Sequence, residues 1–323
     1  MERRPAPVRD LVSLFRLTVL FLRLRPDIVH AYTPKAGLLA MLAARFARVK
    51  TRIRTINGLP LMEATGLKKS LLEAMERVSY RVASDVLANS EGLREYVTRH
   101  IWPGAVGIIG SGSTNGIDLG YFSGMTSHER TNARRSLGLD AEAFAVLFIG
   151  RLVRDKGIVE LVDAFTVFSS DYPNARLCLV GPYESGDPIS PVTRRSIHEN
   201  LSILEFGQVD DVRPFLAASD MLVLPSYREG LPNVLLQAAA YSLPIVATNI
   251  PGNTDIVRDR DTGILIPPKD PHALSSALSL VAANKELARD LGVRARIRVE
   301  ECYDQRVLWP EIKAFYASRL QSD

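Results

Sequence analysis

Apolar positions along the chain fall into two alternating patterns, short β-branched runs and longer stretches with helical spacing, which read as strands and helices. Helical spacing runs from Asp10 to Leu24 and stops at Arg25-Pro26, because proline disfavours helix at the residue before it. Asp27-Ile28-Val29-His30 then reads as a strand, Gly37 to Arg48 as an Ala/Leu-rich helix, and Arg52 to Ile56 as a strand. A helix is predicted from Lys68 to Ala83, a strand at Asp85 to Ala88 and a helix from Ser90 to His100. Strands and helices alternating in this way predict a parallel sheet with helices on both faces.

The segment Gly110-Ser111-Gly112-Ser113-Thr114-Asn115-Gly116 is polar, glycine-rich and without period, and reads as a linker or an inter-domain loop. Alternation resumes with strands at Ala143 to Ile149, Ala175 to Val180, Ile203 to Phe206, Met221 to Leu224, Pro244 to Thr248 and Gly263 to Ile266. Gly157 to Ser169 is the first helix between them. The second half therefore reads as a complete doubly wound α/β domain. The first half opens directly into a helix, without a strand and glycine-rich loop before it, and is expected to be incomplete at its N-terminus. The domain expectation is 1–121, 122–303, and a final segment 304–323 whose helix, Trp309 to Leu320, returns toward the first domain.

Composition supports two buried cores: 323 residues, 46% hydrophobic and 24% charged. Charge is uneven. Residues 1–120 hold 18 Lys and Arg against 10 Asp and Glu, whereas the remainder hold 22 against 26. A basic first half suits a phosphorylated substrate, an anionic membrane surface or nucleic acid. Nucleic acid is set aside, since there is neither zinc spacing nor an interleaved aromatic-basic pattern. The most apolar early run, Leu11 to Leu24, is broken by Arg16 and Arg23 and lacks a cleavage site, which argues against a spanning helix or signal peptide. Cys178 and Cys302 make no disulfide framework and read as reduced thiols of a cytoplasmic protein.

Two segments carry chemistry. Gly150-Arg151-Leu152-Val153-Arg154-Asp155-Lys156-Gly157 follows a buried strand, at the carboxyl end where open α/β sheets bind ligands. Arg151 can fork onto phosphate oxygens and Lys156 can add a point charge. Pro225-Ser226-Tyr227-Arg228-Glu229-Gly230-Leu231-Pro232-Asn233 follows another strand and leads into a helix, with Pro232 suited to its first turn. The free N–H groups of that helix start form an anion site. Glu229 beside it is suited to sugar hydroxyls, which donate to a carboxylate. Asn233 and Gln237 are four residues apart and share a helical face. In the first half, His30 ends a strand, which is commonly a structural position, and Lys35 lies at a helix start suited to an acceptor phosphate. Lys68, Lys69, Arg77 and Arg81 lie on one amphipathic helix that suits solvent, membrane or a lipid diphosphate equally well.

The series Gly150-Arg151, Gly181-Pro182, Glu229 to Asn233, Gly252 and Gly263-Ile264-Leu265 resembles the large family of retaining glycosyltransferases called GT4, which has the GT-B fold of two Rossmann-like α/β domains facing across a cleft. Asp27 to His30, Thr33 to Leu38 and Asn115-Gly116-Ile117-Asp118 resemble the subgroup that builds capsule, O-antigen and other lipid-linked bacterial glycans. The resemblance implies that Arg151 and Lys156 bind the donor diphosphate as it leaves and that Glu229 contacts the donor sugar, these three being the catalytic set. It also implies that backbone at Gly150, Gly230, Leu231, Asn233 and Val234 completes the donor site. Gln237 stands where the family usually has a glutamate gripping the ribose, and Asn57 where many relatives have a histidine facing the donor. With His30 and Lys35, Asn57 forms the expected acceptor side. The implied reaction moves a hexose or N-acetylhexosamine from a nucleotide diphosphate sugar to an acceptor hydroxyl with retention of configuration, without metal or cofactor. The implied partners are the nucleotide-sugar donor, a saccharide or polyprenyl-diphosphate-saccharide acceptor and an anionic membrane surface. Two alternatives stand beside it: a nucleotide-sugar epimerase of the same fold, and an inactive binding or scaffold protein.

Overall fold

The structure is a computed structural model that describes residues 7–123 and 126–321. The chain divides into two compact units, one of Met1–Gly116 with Arg306–Asp323 and one of Ile117–Gln305.

The first unit contains α1 (Pro7–Leu24), β1 (Ile28–Ala31), α2 (Pro34–Phe46), β2 (Thr51–Ile56), α3 (Gly66–Val82), β3 (Asp85–Ala88) and α4 (Glu91–His100). Its three described strands are parallel in the order β1-β2-β3. Short β-branched strands suit a sheet covered on both faces. Ile56, Val86 and Ala88 are buried against Tyr80 of α3 and Leu93 and Val97 of α4. The inner half of β2 also carries Arg54, whose side chain is buried. Its Nη2 lies 3.1 Å from Glu76 Oε2 of α3, and its Nη1 donates to the Tyr32 carbonyl at 2.8 Å. No residue of α1 is fully buried.

The second unit contains α5 (Ser127–Ser136), β4 (Phe144–Ile149), α6 (Ile158–Asp171), β5 (Ala175–Val180), α7 (Pro191–Glu199), β6 (Ile203–Gly207), α8 (Arg213–Ala218), β7 (Met221–Leu224), α9 (Asn233–Ala240), β8 (Ile245–Thr248), α10 (Asn253–Ile256), β9 (Ile264–Ile266), α11 (Pro271–Ala283) and α12 (Lys285–Cys302). Its sheet is parallel throughout, in the order β6-β5-β4-β7-β8-β9. Every residue of β7 and β8 is buried. The strand order reverses between β4 and β7, the neighbours on which two crossovers run in opposite directions.

Three details differ from the sequence reading. The unit boundary precedes Ile117 rather than following residue 121, because the Ile117 N–H donates to the Tyr303 carbonyl at 2.8 Å and its carbonyl accepts from Gln305 at 3.0 Å. The 110–116 segment is no loose linker. The Ser113 N–H donates to Asn89 O at 2.7 Å, and a Cβ on Gly112 would sit 2.5 Å from that carbonyl. The last helix, α13 (Gln305–Leu320), starts four residues earlier than Trp309 and runs through Pro310. It belongs to the first unit through Leu308, which is buried, an ion pair of Arg319 with Asp85 at 2.7 Å, and a bond from Trp309 Nε1 to Asn115 O at 3.0 Å.

Candidate active site

The loops that leave β4 and β7 emerge side by side at the carboxyl edge of the second sheet, at the point where strand order reverses. Open α/β sheets bind ligands at such a switch point, because the two loops diverge there and leave a crevice. The segments singled out from sequence are these two loops.

The first loop runs from Gly150 to a short helical turn at Arg154–Lys156, and Gly157 then caps α6 with a φ of +69°. A Cβ at Gly157 would lie 2.1 Å from the Pro225 carbonyl oxygen, so the first loop abuts the second backbone to backbone. The second loop is pinned from several sides. Tyr227 N–H donates to the Asp155 carbonyl at 2.9 Å, and Tyr227 Oη to Glu160 Oε1 at 2.6 Å. Arg228 Nη2 meets Asp155 Oδ2 at 2.5 Å. Behind it, Thr248 Oγ1 donates to the Ser226 carbonyl at 2.5 Å, and Asn253 Nδ2 donates to Thr248 Oγ1 at 3.0 Å. Gly252, with a φ of +88°, brings its backbone against the Gly230 carbonyl, where a Cβ would lie 2.3 Å away.

These contacts place Lys156 Nζ 2.5 Å from Glu229 Oε1, with the two side chains 17% and 11% exposed. Two groups 73 residues apart thus form one nearly buried ion pair at the crevice. Arg151 Nη1 meets Glu184 Oε2, from the loop after β5, at 2.8 Å. Partial burial disfavours the Arg151 charge, but the carboxylates of Glu184, Asp155 and Glu229 outweigh it, and its pKa is raised. Arg154 lies 3.7 Å from Asp187, whose other oxygen accepts from the Asp155 N–H at 2.7 Å. Beyond Glu229, Gly230 and Leu231 are buried, and Pro232 sits at the N-cap of α9 rather than in its first turn. Pro232 provides no side-chain cap, and the Leu235 N–H donates to its carbonyl at 3.0 Å. Asn233 is exposed, and Val234 and Gln237 are half-buried. Among the described residues, no group of three His, Cys, Asp or Glu side chains is arranged to hold a metal ion.

The family described as "Glycosyl transferases group 1" matches residues 129–298, the stretch that contains the whole of this crevice. The chain belongs to the group 1 glycosyltransferases. The first unit of the transferase matches the family described as "Glycosyl transferase 4-like domain" over residues 1–109. A "Capsular polysaccharide biosynthesis glycosyltransferase CapM" of Staphylococcus aureus is 30% identical over 323 residues, covering 99% of this transferase and 84% of the relative. An Escherichia coli "UDP-Gal:alpha-D-GlcNAc-diphosphoundecaprenol alpha-1,3-galactosyltransferase" is 27% identical, covering 87% of this chain and 72% of the relative. Among solved structures, Anabaena Alr3699/HepE in complex with UDP and glucose superposes with a TM-score of 0.81 at 20% identity, covering 98% of this chain and 84% of that one. The fold of the transferase is GT-B, with two Rossmann-like domains.

Of the three residues expected on the acceptor side, two are engaged by other side chains. His30 is engaged at both ring nitrogens, by Tyr316 Oη at 2.6 Å and Thr55 Oγ1 at 2.7 Å, and it stacks on Tyr32. Burial, with the charge of Arg54 second, lowers its pKa to about 4, which keeps the ring neutral. Lys35, in the first turn of α2, has its Nζ 2.7 Å from Asp10 of α1 and ties two helices together. Asn57 is exposed just past β2. Sequence reasoning assigned no role to Asp155, Glu184 or Arg228, although each adjoins the motifs. The one signal for Asp155 and Arg228 was the alternation of charge in Arg154-Asp155-Lys156 and Arg228-Glu229, which suits paired groups better than an open cationic loop; nothing in the sequence marked Glu184.

Proposed function

We propose that this transferase moves a hexose or N-acetylhexosamine from a nucleotide diphosphate sugar to a hydroxyl of a lipid-linked saccharide, in bacterial surface polysaccharide synthesis and with retention at the anomeric carbon. The Lys156–Glu229 pair at the switch point carries the reading. It sets a cation suited to phosphate beside a carboxylate suited to sugar hydroxyls, at the carboxyl edge of the sheet. In this reading Arg151, Lys156 and the leading N–H groups of α9 at Asn233 and Val234 face the diphosphate. Gly150, Gly230 and Leu231 contribute backbone, and Gln237 meets the ribose.

The bond from the anomeric carbon to the diphosphate oxygen breaks, and its electron pair stays on the diphosphate. Preorganised cations and amides stabilise that charge as it develops. The acceptor oxygen bonds to the same face of the anomeric carbon and its proton passes to the leaving diphosphate. Neutralisation by side chains predicts that turnover survives treatment with EDTA. Support for the substrates comes from the names of the E. coli galactosyltransferase, which acts on a diphosphoundecaprenol-linked sugar, and of the Anabaena protein solved with UDP and glucose. Work at the cytoplasmic face of an anionic membrane fits the basic first half and the exposed Leu67 and Leu71 on α3, one of them beside Lys68. No described helix is long and apolar enough to cross a membrane.

The test is a mass-spectrometric screen of nucleotide sugars against polyprenyl-diphosphate saccharides, followed by Glu229→Ala with the donor so found. The expected result is loss of transfer with nucleotide affinity retained. Near-normal turnover would remove Glu229 from the mechanism, and turnover of donor without any acceptor would favour an epimerase.

A further inference from the structure

Each of the four cations on the two loops already has a carboxylate: Glu184 on Arg151, Asp187 on Arg154, Glu229 on Lys156 and Asp155 on Arg228. Glu160, bonded to Tyr227, adds one more acid. A diphosphate carrying two or three negative charges does not enter a row of unpaired cations here. It must displace a carboxylate or share a cation with one.

The four pairs differ in how readily they part. Lys156–Glu229 and Arg228–Asp155 are the least exposed, and opening either strands a charge away from water, which is costly. Asp187 also accepts the Asp155 N–H, so its release would undo the turn that carries Lys156. Glu184 and Arg151 are about a third exposed, at 31% and 37%, and Glu184 lies in the irregular stretch between β5 and α7. Its carboxylate keeps access to water while it is paired. The backbone on either side of Glu184 is held, by Leu152 N–H on the Pro182 carbonyl at 2.8 Å and Arg154 N–H on the Asp187 carbonyl at 3.1 Å, so only the side chain need move.

We propose that Glu184 is an exchangeable counter-ion, which occupies Arg151 when the donor is absent and is displaced into solvent by the donor diphosphate. This rests on the assignment of Arg151 to the diphosphate. Glu184 then sets donor affinity from the unfavourable side: it holds the guanidinium in place and competes for it. A residue that touched the donor, or merely supported the loop, would weaken binding when neutralised. A competing counter-ion strengthens binding when neutralised.

The experiment is calorimetric titration of the full chain with UDP, using wild type, Glu184→Gln, Glu184→Asp, Arg151→Ala and the double variant. Glu184→Gln is expected to tighten UDP about two- to fivefold, the range set by the modest strength of part-exposed ion pairs. Glu184→Asp is expected to bind close to wild type. Arg151→Ala should weaken UDP, and in that background Glu184→Gln should have no further effect. A lower KM for the donor with kcat little changed should accompany the tighter binding. Unchanged or weaker UDP binding by Glu184→Gln, with Arg151→Ala still weak, overturns the counter-ion role and leaves the donor site standing. Unchanged binding by Arg151→Ala overturns both.

Discussion

Gly157 and Gly138 share a φ of +69°, yet only Gly157 has a neighbour in the space a side chain would fill. Alanine at either position takes on the strain of a left-handed conformation, about 1–2 kcal/mol. At Gly138 nothing lies within 4 Å of the added Cβ, so that strain is the whole expected effect. At Gly157 the Cβ would lie 2.1 Å from the Pro225 carbonyl oxygen and 2.8 Å from its carbon. The contact must open by roughly 1 Å, and a displacement of that size at reacting groups costs about a hundredfold in rate. Pro225 cannot recede freely, because the next carbonyl is held by Thr248 and the Tyr227 N–H by Asp155. The movement therefore falls on Lys156 and Glu229. Gly157→Ala is expected to lose about a hundredfold or more in kcat/KM, whereas Gly138→Ala keeps near-normal turnover and loses only stability. Transfer rates and chemical denaturation of the two variants together make the assay. If Gly157→Ala loses no more activity than Gly138→Ala, the close approach of the two loops does not set the geometry of the site.

Gln237→Glu restores the residue usual in the resembled family and is expected to keep or improve donor affinity; complete loss would show that the amide is needed as a hydrogen-bond donor. Glu76→Ala leaves Arg54 charged, buried and unpaired, and should cost about 3–5 kcal/mol in chemical denaturation; a loss under about 1 kcal/mol would mean that the pair is dispensable. His30 has a folded pKa of about 4 against 6.5 unfolded, so the folded state takes up its proton less readily. Its contribution to stability is complete above pH 6.5 and is lost as pH falls from 6.5 toward 4. A His30→Gln variant should therefore lose less stability over that interval than wild type, and equal slopes would rule out His30 as the titrating group.

The strands were legible in sequence because they are short apolar runs between polar segments, buried on both faces in β7 and β8, although β6 is buried only at Ile203. Met221 to Leu224, Ala175 to Val180 and Asp85 to Ala88 occupy their predicted residues without shift. Both chemical loops were legible too, since glycines, cations and an acid at strand ends mark a crevice whatever the packing around them. Helix ends were less so. The start of α13 and the N-cap at Pro232 depend on which backbone groups find partners, and composition does not report that.

Which charges answer which was decided by the tertiary structure alone. Lys35 reads as a free cation at a helix start, but α1 brings Asp10 to it. Arg54 is buried within β2, and Glu76 from a helix 22 residues on makes that burial tolerable. Arg151 and Lys156 read as an open phosphate cradle, and the fold supplies Glu184 and Glu229 from 33 and 73 residues away. An ion pair depends on distances of a few ångströms between groups remote in sequence. The one-dimensional pattern therefore determined the strands, the loops and the residue types those loops carry, whereas the order of strands around the switch point determined which carboxylate each loop cation meets.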